Sequence, residues 1–263
     1  MKVLIHQTRD TATACVADLV VGHLARQPDA VLGLATGGTM EAVYAALIAR
    51  YQSGAVSFAG AHSFNLDEYV GLSPDHPCSY WAYMREKLFG YVDMDPARAH
   101  LPRGDVADAE AEAERYEAAI RAAGDIGLQL LGLGANGHIG FNEPTSSLAS
   151  LTRIKTLTAS TRDANARYFD DVDDVPRLAI TMGIGTILRA QEIVLLAFGA
   201  AKADVVARMI EGPVTAACPA SVLQMHPKVT VVLDADAAGA LALRDYYELV
   251  HPVVPAPSNP APS

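Results

Sequence analysis

Three short stretches of this chain carry residue types that chemistry needs. The segment GLGANGHIGFNEP, residues 132–144, sets four glycines around Asn136, His138 and Glu143. So dense a glycine run does not hold a helix; it lets the backbone fold tightly and present polar side chains inward. A histidine exchanges protons near neutrality, with an ordinary pKa of about 6.5, and a nearby carboxylate can orient and polarise its ring. A lone histidine in such a loop also suits a structural or surface role. The HxxxxE spacing lacks the HExxH pattern that places two ligands on one helical face, so no metal site is expected.

FNLDEYVGL supplies Asn65, Asp67 and Glu68, followed by an aromatic residue and a glycine. A carboxylate held beside a carbon acid is a general base, whereas adjacent acids in a strand-end loop also serve as solvated or capping groups. The third stretch is TGGT, Thr36 to Thr39. Backbone amides at a helix N-terminus, with glycines that let an oxyanion come close, make an anion site, and the same residues suit an ordinary βα turn. Thr39 could also cap the helix that follows. The GxxxxGK[ST] pattern is absent, so nucleoside triphosphate binding is not indicated.

These stretches need a frame that brings them together. Short runs, most of them β-branched or apolar, at Val3–Ile5, Val31–Ala35, His62–Leu66, Gly127–Leu133, Ile193–Phe198 and Val229–Leu233 read as strands. Between them lie segments of helical period, among them Ala12–Arg26, Glu41–Tyr51, Asp105–Ala123 and Ala200–Ile210. Alternation of this kind predicts an α/β fold, a mostly parallel Rossmann-like sheet with helices on both faces. Ligands of such sheets bind beyond the carboxyl ends of the strands, which places the loops after Ala35, Leu66 and Leu133 around one crevice.

Composition narrows the class further. With 263 residues and 51% hydrophobic content, one domain over residues 1–250 is the simple reading. From residue 251 the chain turns proline-rich and polar, a composition that builds no core, and residues 251–263 read as a disordered tail. The longest apolar run, Ile193 to Ala201, is far short of the ~20 residues of a membrane span, and MKVLIHQTRD lacks the apolar stretch of a signal peptide. Cys15, Cys78 and Cys218 show neither disulfide nor metal-ligand spacing and suit a reducing compartment, so a cytoplasmic protein is expected. The net charge of −10 argues against a nucleic-acid surface, and any anionic ligand must be held by local cations.

In this order TGGT, FNLDEYVGL and GxGxNGHIGFNEP resemble the signature of the glucosamine-6-phosphate deaminase family. The similarity runs on through SSLASLTRIKTLT, TRDANARYF, the Lys202 region and PASVLQMHP, covering nearly all of the chain before the tail. The resemblance implies a three-layer α/β/α fold like that of ribose-5-phosphate isomerase and CoA transferases. It implies a cofactor-free reaction, the isomerisation and deamination of glucosamine 6-phosphate to fructose 6-phosphate and ammonia in amino-sugar catabolism. Asp67 then matches the base that takes the C2 proton, His138 the residue that opens the pyranose ring, and Glu143 its partner. Gly37, Gly38, Thr39, Arg167 and Lys202 match the phosphate contacts. Asn136 stands where some members have Asp, and Met40 follows the TGGT where many have Pro. Two other readings share parts of the pattern: a 6-phosphogluconolactonase-like hydrolase, which needs no carbanion base, and a non-catalytic sugar-phosphate sensor. Such sensors usually carry a DNA-binding segment, and no basic helix-turn-helix region is visible. Galactosamine 6-phosphate, different only at C4, stays open as a substrate.

Just after Glu143, the residues Ser146, Ser147, Arg153, Lys155 and Thr156 form a hydroxyl and cation set. Taken alone it reads as a solvated strand edge or a second anion site. The resemblance extends to hexameric members in which matching residues bind the activator N-acetylglucosamine 6-phosphate between subunits, aided by a tyrosine to which Tyr246 or Tyr247 would correspond. A homo-oligomer, a hexamer, is therefore expected.

Overall fold

Strands buried on both faces are rich in apolar residues, and segments such as VLGL, EIVLLA and VTVVLD meet that demand in succession. In the computed structural model, which describes residues 1–169 and 171–253, these segments form the centre of the molecule. The first half runs β1 (Lys2–His6), α1 (Arg9–Arg26), β2 (Val31–Leu34), α2 (Gly38–Gln52), β3 (His62–Asn65), β4 (Asp67–Tyr69), α3 (Tyr80–Lys87), β5 (Ala99–His100), α4 (Ala109–Ala122) and β6 (Leu128–Gly132). It continues through β7 (Arg153–Thr156), α5 (Ala159–Asn165), β8 (Leu178–Thr181), α6 (Ile184–Leu188), β9 (Glu192–Ala197), α7 (Ala203–Ile210), β10 (Val229–Asp234) and α8 (Arg244–Val250).

Seven strands form one sheet in the order β1-β10-β9-β6-β2-β3-β5, and all neighbouring pairs are parallel. With its flanking helices it makes the α/β/α layering expected from the sequence. Helix starts are set locally: Thr8 Oγ accepts from Thr11 N at 3.2 Å, and the Asp108 carboxylate takes the amides of Glu110 and Ala111 at 3.1 and 3.0 Å. Among the described residues no helix is long and apolar enough to cross a membrane.

A second, three-stranded antiparallel sheet in the order β4-β8-β7 was not anticipated. It corrects the placing of Asp67 and Glu68 in a strand-end loop. The two acids are part of β4, with Asp67 opposite Thr181 and Glu68 opposite Ile180, and both are buried. The reason is tertiary: β8 lies far along the chain, and a three-residue acidic strand gains its pairing only once β8 is in place. The expected cap at Thr39 is also corrected. Gly37 is the N-cap of α2, with φ of 102° and no side-chain cap bond, so Thr39 lies inside the first turn.

One buried carboxylate ties the small sheet to the flanking helices. Glu117 of α4 accepts from Thr152 N and Oγ at 3.1 and 2.6 Å, from Thr186 Oγ at 2.7 Å and from Arg189 Nη2 at 2.7 Å. Charge-assisted bonds of this kind hold the segment leading into β7 against α4 and α6. At the other end, His251 Nδ1 accepts from Val3 N at 3.4 Å and Val253 packs on the main core. The rest of the expected tail, residues 254–263, lies outside the described residues.

Candidate active site

Four adjacent strands, β9, β6, β2 and β3, end at the same edge of the sheet. The segments that follow them carry Lys202, the 134–143 loop, the TGGT turn and Asp67, so parallel pairing alone brings distant motifs into one crevice. The crevice holds about 440 Å³ and is lined by Gly37, Gly38, Thr39, Asp67, Asn136, His138, Arg167 and Lys202, as expected, together with Tyr80 and Thr161.

Glu143 stands behind this lining and acts on it through Asn136. Asn136 Nδ2 donates to Glu143 Oε2 at 2.6 Å, while Asn136 Oδ1 accepts from His138 N at 3.1 Å and faces His138 Nδ1 at 2.7 Å. His138 Nδ1 also stands 3.5 Å from Glu143 Oε2. Both groups facing Nδ1 are acceptors, which assigns the ring proton there and leaves the Nε2 lone pair free to take a proton. Burial pushes the Glu143 carboxyl upward, but bonds from His138, Thr161 and Asn136 outweigh it and hold the pKa at about 2. Thr161 Oγ and Thr158 Oγ supply the remaining contacts to Glu143 Oε1. Glu143 is thus held as an anion behind the histidine ring.

Asp67 has the opposite environment. It is 5% exposed, and burial first, then the neighbouring Glu68 carboxylate, push its pKa up to about 8. A carboxylate that is costly to ionise is a strong base once ionised. The glycine loop closes on it from above: Gly140 has φ of +54°, and a Cβ there would stand 3.4 Å from Asp67 Oδ2 and 3.1 Å from Thr181 Oγ. The loop is tied down by Phe141 N to Thr181 Oγ at 3.1 Å, and by Asn142 Nδ2 to the carbonyls of Ile139 and Met182 at 2.9 and 2.8 Å.

At the far end of the crevice the first turn of α2 presents the amides of Gly38 and Thr39. Arg167, from the 3-10 turn after α5, packs against them, and a Cβ on Gly38 would lie 3.2 Å from its Nη2. The guanidinium stacks on Tyr168 at 4.7 Å and bonds its hydroxyl at 2.9 Å. Lys202 Nζ donates to Leu133 O at 2.7 Å, and burial lowers its pKa. Two cations and a helix N-terminus form an oxyanion cradle. Among the described residues no group of three or more His, Cys, Asp or Glu side chains is placed to hold a metal ion.

Sequence reasoning missed Tyr80, whose hydroxyl meets that of Tyr69 at 3.2 Å on the crevice wall, and Thr161, which anchors Glu143. Neither belongs to a motif with a mechanism of its own, and only proximity in the fold reveals them. The second set of hydroxyls and cations lies outside this crevice: Arg153, Lys155 and Thr156 are on β7, Ser146 is buried and Ser147 exposed. Tyr246 is exposed on α8, while Tyr247 packs on the core.

The Asn136 contact generates a direct test. Replacing the amide with a carboxylate in Asn136→Asp sets two carboxyl oxygens where 2.6 Å separates Nδ2 from Oε2, so the pair must share a proton. Carbon-13 NMR of the introduced carboxyl should show a midpoint well above the ordinary ~3.9 of aspartate. An ordinary midpoint would mean that the amide is not the link between Glu143 and His138.

Comparison with known proteins agrees with this geometry. The family model described as glucosamine-6-phosphate isomerases/6-phosphogluconolactonase matches residues 4–232. A glucosamine-6-phosphate deaminase of Hahella chejuensis is 53% identical over 95% of this chain and 95% of its own length. One of Arthrobacter sp. is 49% identical over 97% of this chain and 98% of its own. Among solved structures, a protein described as a monomeric glucosamine-6-phosphate deaminase superposes with a TM-score of 0.89 at 47% identity, covering 91% of this chain and all of that one. A 6-phosphogluconolactonase from Trypanosoma brucei, with a TM-score of 0.73 at 21% identity over 92% of this chain and 98% of that one, shares the fold alone. The chain belongs to the glucosamine-6-phosphate isomerase/6-phosphogluconolactonase family, with the glucosamine-6-phosphate deaminases as its near relatives.

Proposed function

We propose that this chain converts D-glucosamine 6-phosphate to D-fructose 6-phosphate and ammonia, as a cytoplasmic enzyme of amino-sugar catabolism. The observation that carries the reading is Asp67, a buried carboxylate with its pKa raised to about 8, set between an oxyanion cradle and a histidine oriented for proton transfer. A lactone hydrolase would have no use for a base poised against a carbon acid.

The reaction divides among the residues. His138 Nε2 takes the O1 proton and delivers it to O5 as the C1–O5 bond breaks, which opens the ring to the C1 aldehyde. The C2 hydrogen, now α to a carbonyl, is acidic, and Asp67 removes it while the electron pair moves onto the carbonyl oxygen, giving an enolamine. Return of a proton to C1 gives the C2 imine; water adds to C2, the C–N bond breaks, and ammonia leaves. Arg167, Lys202 and the Gly38 and Thr39 amides hold the phosphate, each charged bond contributing about 1.5–3 kcal/mol, and so choose which carbon meets Asp67.

Ammonia release from a panel of glucosamine, galactosamine and N-acetylglucosamine 6-phosphates tests the reading. Release from the glucosamine compound is expected, with Asp67→Asn lowering turnover by roughly 10²–10⁴-fold while substrate still binds. Acid release from 6-phosphogluconolactone without ammonia from any amino sugar would overturn it, as would unchanged C2 hydrogen exchange in Asp67→Asn.

The same reading includes regulation. Ser146, Ser147, Arg153, Lys155 and Thr156 form a second anion site, taken by N-acetylglucosamine 6-phosphate in a homohexamer. Its support is that Ser146 Oγ and Arg153 Nη2 are buried without a hydrogen-bond partner among the described residues, while Arg153 Nη1 reaches only Leu151 O at 3.3 Å. Burial also lowers the Arg153 pKa, a state that a bound anion would relieve. Activation requires that the ligand prefer the more active state. Arg153→Ala should therefore abolish activation and leave turnover at saturating substrate intact. A monomer by light scattering, with kinetics indifferent to the activator, would refute the regulatory part; the related deaminase described as monomeric makes that measurement the first to perform.

A further inference from the structure

Next to Asp67 is a second buried acid that the reaction does not use. Glu68 is 2% exposed and makes no ion pair among the described residues. Its Oε1 accepts from Tyr69 N at 2.9 Å and Tyr80 N at 3.0 Å, and its Oε2 accepts from Trp81 N at 3.1 Å. Tyr80 and Trp81 open α3, and Ser79 Oγ takes the next amide, that of Ala82, at 3.0 Å. Ser79 alone would cap the helix; the carboxylate adds a clamp between the first turn of α3 and the strand that carries Asp67. Burial pushes the Glu68 pKa up to about 7 against those three amide bonds, so the fold retains the acid at a cost.

Further along α3, Tyr83 Oη donates to Gly37 O at 2.9 Å, on the turn that forms the phosphate cradle. Tyr83 is braced edge-on by Tyr44 at 6.4 Å, and Tyr44 Oη in turn bonds Ala35 O. Tyr80, whose amide the Glu68 clamp holds, also forms part of the crevice wall. The first four residues of α3 therefore join the strand of Asp67 to the phosphate-binding turn.

We propose that Glu68 is a positioning residue: through α3 it fixes the spacing between the Asp67 carboxylate and the phosphate cradle at Gly37–Thr39. The inference rests on Asp67 being the C2 base. A substrate anchored by its phosphate presents C2 at one distance only, and a loosened helix lets cradle and base drift apart.

The test is a double-mutant cycle on the full chain with Glu68→Gln, which keeps one acceptor but turns an amide NH2 toward Trp81 N, and Tyr83→Phe, which cuts the bond to Gly37 O. Each single variant is expected to lower kcat on glucosamine 6-phosphate by roughly 10-fold to 100-fold. The double variant should be no slower than the slower single one, because both cut the same linkage. Turnover of glucosamine without its phosphate, where spacing from the cradle has no meaning, should not respond to either change. Effects that multiply in the double variant, or a fall in melting temperature with kcat and KM unmoved, would overturn the proposal. Should Glu68→Gln fail to fold, Glu68→Asp, one methylene shorter with its charge kept, takes its place with the same expectation. Asp67→Asn run alongside separates the two failures: if it retains activity the base is misassigned, whereas an inactive Asp67→Asn beside a fully active Glu68→Gln sinks only the role of Glu68.

Discussion

The burial of Asp67 is the constraint on which the rest of the site depends. Out of water a carboxylate resists ionisation, and the same penalty that raises its pKa to about 8 makes it a stronger base than a solvated carboxylate. Such a group needs enclosure on every side. β8 pairs with its strand, the glycine loop lies over it at Gly140, and Tyr69 and Tyr80 form an apolar wall whose own hydroxyls burial keeps protonated. The small antiparallel sheet can be understood as the means of burying this one acid.

Other charges in the crevice are arranged by contrast. Glu143 carries its charge permanently because hydrogen bonds stabilise it, so it orients His138 and does not compete with Asp67 for protons. Two acids thus have pKa values of about 8 and about 2, a contrast that suits one to accepting a proton and the other to holding a fixed charge. The protein carries a net charge of −10, yet the phosphate end of the crevice gathers Arg167, Lys202 and the start of α2. Local cations and a helix terminus override the overall field at the distance of a hydrogen bond.

Much of this was legible in the chain. The runs that became β1, β2, β9 and β10 stand out because a parallel strand buried on both faces is rich in apolar residues, whereas β3 reads HSFN and β6 carries the buried Gln129. Once the sheet is parallel, the convergence of TGGT, Asp67 and His138 follows from connectivity. What escaped was non-local. β4 reads as a polar loop until β8 pairs with it, and the amides that Glu68 accepts come from the start of a different helix. Tyr80 and Thr161 contribute through position alone, and Thr39 yielded the capping place to Gly37 because only the glycine tolerates the backbone angle there.

The most direct measurement is a carbon-13 NMR titration of the Asp67 carboxyl in the free protein, assigned by its loss in a variant lacking that side chain. A midpoint near pH 8 is expected, with the carboxyl still largely protonated at pH 6. A midpoint near the ordinary ~3.9 of aspartate would contradict it, because an acid that ionises as readily as in water is neither enclosed nor poised as the base.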